Sequence, residues 1–276
     1  MSGDARPIGI FDSGVGGLTV YRALRARLPR ESFIYLGDTA RIPYGTRSPE
    51  TVRRYAREDA AFLVSQGVKL IVIACNTASS LALEVLQDEC PAPVMGVIEP
   101  GARAAVAATR LGNVGVIGTE ATIASAAYPR AIQSIAPGIQ VLAQSCPLFV
   151  PLVEEGWATH PVTTAVAAEY LAPLRQAEVD TLVLGCTHYP VLAEAIRQAM
   201  GDGVALVDSG ACAAQEVAAA LERQAAVAPP DAPPPDTRFY VTDAGERFRR
   251  VAGLCLGEPV TRLETAQVEA SPERLF

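Results

Sequence analysis

The chain has 276 residues, half of them hydrophobic and 19% charged, with a formal net charge of −7. A globally disordered chain is excluded by that balance, and so is a membrane span, since the longest apolar run, residues 70–75, falls far short of the roughly 18 needed. The acidic charge argues against nucleic-acid binding as the main function.

In chain order, the segment up to Gly17 lacks the basic start and long apolar stretch of a signal peptide, so the expected compartment is the cytoplasm. Strands are predicted over 8–11, 33–37, 70–74, 94–97, 114–117, 139–143, 181–185, 205–207, 238–241 and 260–263. Amphipathic stretches lie between nearly all of them. Ser48-Pro49 reads as an N-cap followed by proline at the first helical position, and Thr159-His160-Pro161 opens a helix the same way. Asp243 is expected to cap a helix over 244–256. Repeated strand–helix alternation implies mainly parallel sheets in an α/β fold. The proline-rich stretch 228–236 reads as a stiff surface connector rather than a recognition motif.

Two segments resemble each other. Residues 70–77 (LIVIACNT) and 182–188 (LVLGCTH) are each an apolar strand ending in Cys, followed by a polar cluster. Cys75 follows Asp12 at nearly the interval by which Cys186 follows Thr119. Glu99-Pro100-Gly101 and Asp208-Ser209-Gly210 then follow at matched distances. Three landmarks in one order suggest two pseudo-symmetric α/β domains. The expected division is 1–98 with 209–276 as the first domain and 99–208 as the second, with a cleft between them.

Ligands of open parallel sheets sit outside the carboxyl ends of strands. Asp12-Ser13, Tyr44-Gly45, Cys75-Asn76-Thr77, Thr119 and Cys186-Thr187-His188 all follow predicted strands and should share that rim. Each of the two Cys is expected where a strand gives way to a helix. There a helix N-terminus would bind a carboxylate and lower the thiol pKa. Taken singly, a Cys at a strand end reads as structural; matched positions in both half-repeats reverse that. Cys90, Cys146, Cys212 and Cys255 read as structural, and the cysteines as free thiols in a reducing compartment. No Cys/His grouping has metal spacing. His160 reads as a helix-entry residue and Asp38 as a turn or supporting residue.

Two facing thiols suit either a disulfide redox pair or proton transfer at a stereocentre, one thiolate removing an α-proton and a thiol returning one to the other face. Asp12 and His188 would then tune the sulfurs or carry protons onward. A dinucleotide fingerprint at 14–17 fails, because Thr19 stands where its third glycine belongs. A pyridoxal phosphate enzyme would need a Schiff-base lysine. Lys69, the only lysine, starts a strand at the wrong end of the sheet.

The motifs IFDSGVGGL (10–18), PYGTRS (43–48), ACNTAS (74–79) and LGCTHYP (184–190), with FYVTD (239–243), closely resemble those of cofactor-independent glutamate racemases, of the aspartate/glutamate racemase family. The resemblance implies interconversion of L- and D-glutamate without cofactor or metal, supplying D-glutamate for peptidoglycan. It implies that Cys75 serves the D-enantiomer and Cys186 the L-enantiomer, with Asp12 and His188 assisting. It places substrate contacts at Asp12, Ser13, Tyr44, Gly45, Asn76, Thr77, Thr119, Thr187 and His188, with Thr122 and Glu154 as weaker candidates. A homodimer is left open; nucleic-acid and membrane partners are not expected. Two other classes stay in view. A Cys186–His188 hydrolase leaves Cys75 unexplained, and a two-lobed binding protein would normally carry an export signal.

Overall fold

The computed structural model describes residues 3–243 and 245–268. The strands are β1 (Ile8–Asp12), β2 (Phe33–Gly37), β3 (Leu70–Ile73), β4 (Val94–Met95), β5 (Asn113–Gly118), β6 (Gln140–Ser145), β7 (Thr181–Gly185), β8 (Ala205–Asp208), β9 (Thr237–Val241) and β10 (Leu263–Thr265). The helices are α1 (Leu18–Arg27), α2 (Pro49–Ser65), α3 (Asn76–Glu89), α4 (Ile98–Ala108), α5 (Glu120–Ala124), α6 (Ala127–Ile135), α7 (Phe149–Glu154), α8 (Pro161–Gln176), α9 (Ala193–Met200), α10 (Ser209–Arg223) and α11 (Gly245–Leu256).

The strands form two sheets, ordered β10-β9-β2-β1-β3-β4 and β6-β5-β7-β8, and every pairing is parallel. The second sheet repeats the β2-β1-β3-β4 order of the first. Parallel strands covered on both faces should be apolar throughout rather than alternating, and β1, β2, β3 and β7 are buried along their whole length. Side-chain alternation then divides each sheet's core in two. Ile8, Ile10, Leu70 and Val72 face α1, α10 and α11, whereas Phe11, Ile34, Ile71 and Ile73 face α2 and α3. In the second sheet Leu182 and Leu184 join the α8 and α9 side, and Val114, Val116 and Val183 the α4 and α6 side.

Ser48 caps α2 by accepting the N–H of Thr51, and His160 caps α8 by accepting that of Val162. Asp208 closes the second sheet and caps α10 through the N–H groups of Gly210 (2.9 Å) and Ala211 (3.2 Å). Two predicted strands move. The one expected over 94–97 stops at Met95, because the Val97 N–H goes to the Ser79 hydroxyl and Val97 opens α4. The one expected over 260–263 begins at Leu263. Val260 instead plugs the first core and its carbonyl accepts from Arg249 at 2.7 Å. The cap expected at Asp243 involves Ala244, which lies outside the described residues.

Lys69 stands at the amino end of β3, away from the carboxyl rim. Its Nζ lies 2.7 Å from the Glu31 carboxylate and donates to the carbonyls of Asp4 and Ala226. Both side chains are buried. Removing one partner strands a buried charge, so Lys69→Met should cost about 3–5 kcal/mol of stability. Adding Glu31→Leu should recover part of it; urea denaturation midpoints of the single and double variants check this.

Candidate active site

In each sheet the chain leaves the first strand to opposite sides, so β1/β3 and β5/β7 mark the switch points where such folds open a crevice. Asp12 ends β1 and Ser13 follows it, Cys75 follows β3, Thr119 follows β5, and Cys186, Thr187 and His188 follow β7. A cleft of about 500 Å³ joins the two rims. Ser13, Tyr44, Gly45, Cys75, Asn76, Thr77, Thr119, Cys186, Thr187 and His188 line it, together with Glu154 and Arg247. The structure thus gathers every expected contact except Asp12 and the weaker candidate Thr122 into the lining. Asp12 is fully buried and holds the turn above it, accepting the Gly14 N–H at 3.0 Å and the Thr187 hydroxyl at 3.5 Å. Burial raises its pKa, against the His188 charge and the Gly17 and Gly14 N–H groups that favour the anion.

The two sulfurs differ in surroundings. Cys75 is the N-cap of α3: its Sγ accepts the Ala78 N–H at 3.5 Å and meets the Ser13 hydroxyl at 3.6 Å. The helix terminus does not win there. Burial first, and the Asp12 charge next, push the Cys75 thiol up to about 12, overturning the expected lowering. Cys186 is not at a helix start at all. Its carbonyl accepts the Tyr189 N–H in a turn, and a short 3-10 segment, Tyr189–Leu192, intervenes before α9. Its sulfur faces an imidazole instead, 3.9 Å from His188 Nδ1.

His188 Nε2 lies 3.3 Å from Glu154 Oε1, and Glu154 Oε2 accepts from Arg247 at 2.7 Å. Burial opposes the imidazolium, yet Cys186, Glu154 and the Asp12 charge raise His188 to about 10. Burial likewise pushes Glu154 up, but the His188 and Arg247 contacts hold it below the usual range.

Several expected contacts are already committed to the protein. The Asn76 side-chain oxygen accepts from the Tyr128 hydroxyl at 2.7 Å and from Ser209 at 3.4 Å. The Tyr44 hydroxyl points away from the cleft, donating to Asp38 and contacting Asp59 at 3.0 Å. Asp38 is therefore a support, tied also to Arg41 at 2.7 Å and Thr242 at 3.0 Å. Thr77, Thr119 and Thr122 bring their hydroxyls within 3.0 Å of one another across the two sheets. Cys146 and Cys255 are core residues, as expected.

Sequence reasoning missed Arg247, which sits in no motif. It also gave the glycines at 14–17 no role beyond a failed fingerprint. A Cβ on Gly16 would stand 2.4 Å from Thr187 Oγ1 and 2.5 Å from His188 Nδ1. That glycine lets the β1–α1 turn touch the β7 loop, where the Thr19 hydroxyl also donates to the Thr187 carbonyl at 2.9 Å.

Gly16→Ala should therefore displace His188 and lower kcat/KM by roughly 10²-fold, the scale set by misplacing a reacting group by about 1 Å. Steady-state kinetics on the folded variant check it. The His188 charge also makes a stability prediction. Its value of about 10 lies above the ordinary 6.5. Its contribution is then fully present below 6.5 and fades as pH rises through 10. The Tm gap between the wild type and His188→Asn should narrow across that window.

With the geometry in place, known proteins can be set beside it. Residues 8–217 match the Asp/Glu/Hydantoin racemase family. The glutamate racemase of Geobacter metallireducens is 52% identical over 268 residues, 97% of this chain and 99% of that one. Glutamate racemase RacE1 from Bacillus anthracis superposes with a TM-score of 0.91 at 38% identity, over 95% of this chain and 97% of the other. The Francisella tularensis glutamate racemase, crystallised with D-glutamate, gives a TM-score of 0.89 at 40% identity, over 96% and 99%. Two cysteines on one cleft, and a lone lysine held at the far end of the sheet, fit that likeness: the chain belongs to the Asp/Glu/Hydantoin racemase family and is an amino-acid racemase.

Proposed function

We propose that this racemase interconverts L- and D-glutamate by a two-base mechanism in which Cys186 serves the L-enantiomer and Cys75 the D-enantiomer. The observation that carries the reading is that both sulfurs line one cleft, from corresponding strand ends of two sheets with the same strand order. Relatives named glutamate racemases supply the substrate. We take residues 1–98 with 209–276 as one lobe and 99–208 as the other, closing on a single ligand.

In the L-to-D direction the Cys186 thiolate takes the α-proton. The electron pair left on the α-carbon spreads into the substrate carboxylate, and the Cys75 thiol returns a proton to the opposite face. The negative charge thus passes from one sulfur to the other, and proton exchange with solvent restores the starting state. The two sides suit these parts. Burial and Asp12 keep Cys75 protonated in the ligand-free cleft, ready to donate. The His188 cation beside Cys186 stabilises the sulfur anion that must act there. Asp12, Ser13, Tyr44, Gly45, Asn76, Thr77, Thr119, Thr187 and His188 form the substrate site, with Tyr44 acting through its main chain and Thr122 supporting Thr77 and Thr119. Fixed donors aimed at the carboxylate stabilise the carbanion without rearranging. The D-glutamate so formed would feed peptidoglycan synthesis in the cytoplasm.

Incubation of L-glutamate in deuterated water tests this. D-glutamate should carry solvent deuterium at the α-carbon while early recovered L-glutamate stays protiated. A Cys186–His188 hydrolase or a binding protein gives no exchange at all, and that result would overturn the reading. Cys75→Ser and Cys186→Ser should each lower kcat/KM by on the order of 10²–10⁴-fold, the usual weight of a positioned acid or base. A variant that keeps full racemisation would remove its sulfur from the mechanism.

A further inference from the structure

Arg247 stands apart from the reacting groups, yet it ends a series of contacts that reaches one of them. Its helix, α11, is fixed by Phe248, Val251, Ala252 and Cys255, all buried in the core of the first sheet. Phe248 also packs on Tyr35, with ring centroids 6.1 Å apart. From this base the guanidinium crosses the mouth of the cleft to Glu154, at the end of α7, whose Phe149, Leu152 and Val153 belong to the second sheet's core. The contacts run Arg247 Nη2 to Glu154 Oε2 at 2.7 Å, Glu154 Oε1 to His188 Nε2 at 3.3 Å, and His188 Nδ1 to Cys186 Sγ at 3.9 Å. Cation, anion and cation alternate toward one sulfur. Cys75 has a different set, the Ser13 hydroxyl and the Ala78 N–H.

We propose that Arg247 is a positioning residue for the Cys186 half-reaction: gripping Glu154 from across the cleft, it fixes the His188 ring against the Cys186 sulfur. The proposal rests on the two-thiol reading above. A carboxylate held at one oxygen by a guanidinium presents the other in one direction. Released, Glu154 regains rotation about its side-chain bonds, and the imidazole loses the partner that sets its orientation. The Arg247 side chain is 53% exposed while those of Glu154 and His188 are 13% and 7% exposed. An exposed cation adds little to folding, so its removal should leave the protein folded. Because the grip joins groups anchored in different sheets, it also links the spacing of the sheets to the geometry at one sulfur.

Arg247→Met and Arg247→Lys, assayed with protiated and α-deuterated L- and D-glutamate, test this. With an equilibrium constant of one, kcat/KM must fall equally in both directions. A loss of roughly tenfold is expected for Arg247→Met, the scale of a charge-assisted hydrogen bond, with partial recovery in Arg247→Lys. The decisive readout is the isotope effect on kcat/KM. In Arg247→Met it should rise with α-deuterated L-glutamate, whose label passes to Cys186. It should fall with α-deuterated D-glutamate, whose label passes to Cys75. Unchanged effects, equal shifts from both enantiomers, or the reverse pattern would overturn the proposal and leave the two-thiol reading standing. If the wild type carries α-deuterium through from substrate to product, the two-thiol reading falls, and this proposal with it.

Discussion

The structure depends on bringing two buried sulfurs to one small cavity. A buried thiol resists ionisation, yet the proposed reaction needs a thiolate to take a proton from carbon. The chain meets this conflict differently at its two sulfurs. At Cys75 the anion is met by a hydroxyl and a helix N–H, and burial still prevails. At Cys186 a full positive charge on His188 faces the sulfur, and that charge is itself held by Glu154. The carboxylate is in turn gripped from the other sheet. Each partner answers a desolvation cost incurred by the group before it.

Repeated topology explains why the sulfurs can meet at all. A parallel sheet sends every strand's carboxyl end to the same rim, and the strand order turns at β1/β3 and again at β5/β7. Two such rims set face to face bring four loops together with no special device. The close approach is then a steric matter, settled at two glycines. Gly16 makes room for Thr187 and His188, and Gly45 makes room for Thr119, whose Cβ would lie 2.7 Å from a Cβ at Gly45. Hydroxyls from both sheets fill the remaining contact, with Thr77 on one side and Thr119 and Thr122 on the other.

Much of this was legible in the sequence, because apolar runs of strand length, proline-bearing helix starts and repeated Cys landmarks each reflect a short-range rule. The strands on both sides of the cleft and the residues that follow their carboxyl ends come from those rules. What escaped depends on three-dimensional neighbours. Val260 looks like a strand residue because it is apolar, but its backbone serves Arg249. Tyr44 looks like a polar ligand contact, but its hydroxyl is drawn into a buried carboxylate pair formed by Asp38 and Asp59. The thiol at a helix start looks activated, but burial outweighs about half a unit of terminal charge. Arg247 follows no spacing rule, since its partner lies on another helix of another sheet.

The unequal surroundings of the two sulfurs need not favour one product. Enantiomers of one amino acid are equal in energy in water, so kcat/KM is the same from either side whatever the protein does. Asymmetry within the cleft can only redistribute that shared value between binding and turnover, and between the two proposed proton transfers. In the proposed reaction the two directions start from opposite placements of one proton on the two sulfurs, and burial favours keeping it on Cys75. The charges behind Cys186 oppose transfer of the proton to that sulfur, because they favour the anion on the side where the helix terminus is missing. An internally repeated fold supplies two similar rims, and the charges placed behind only one of them make a mirror-symmetric reaction run in an asymmetric site.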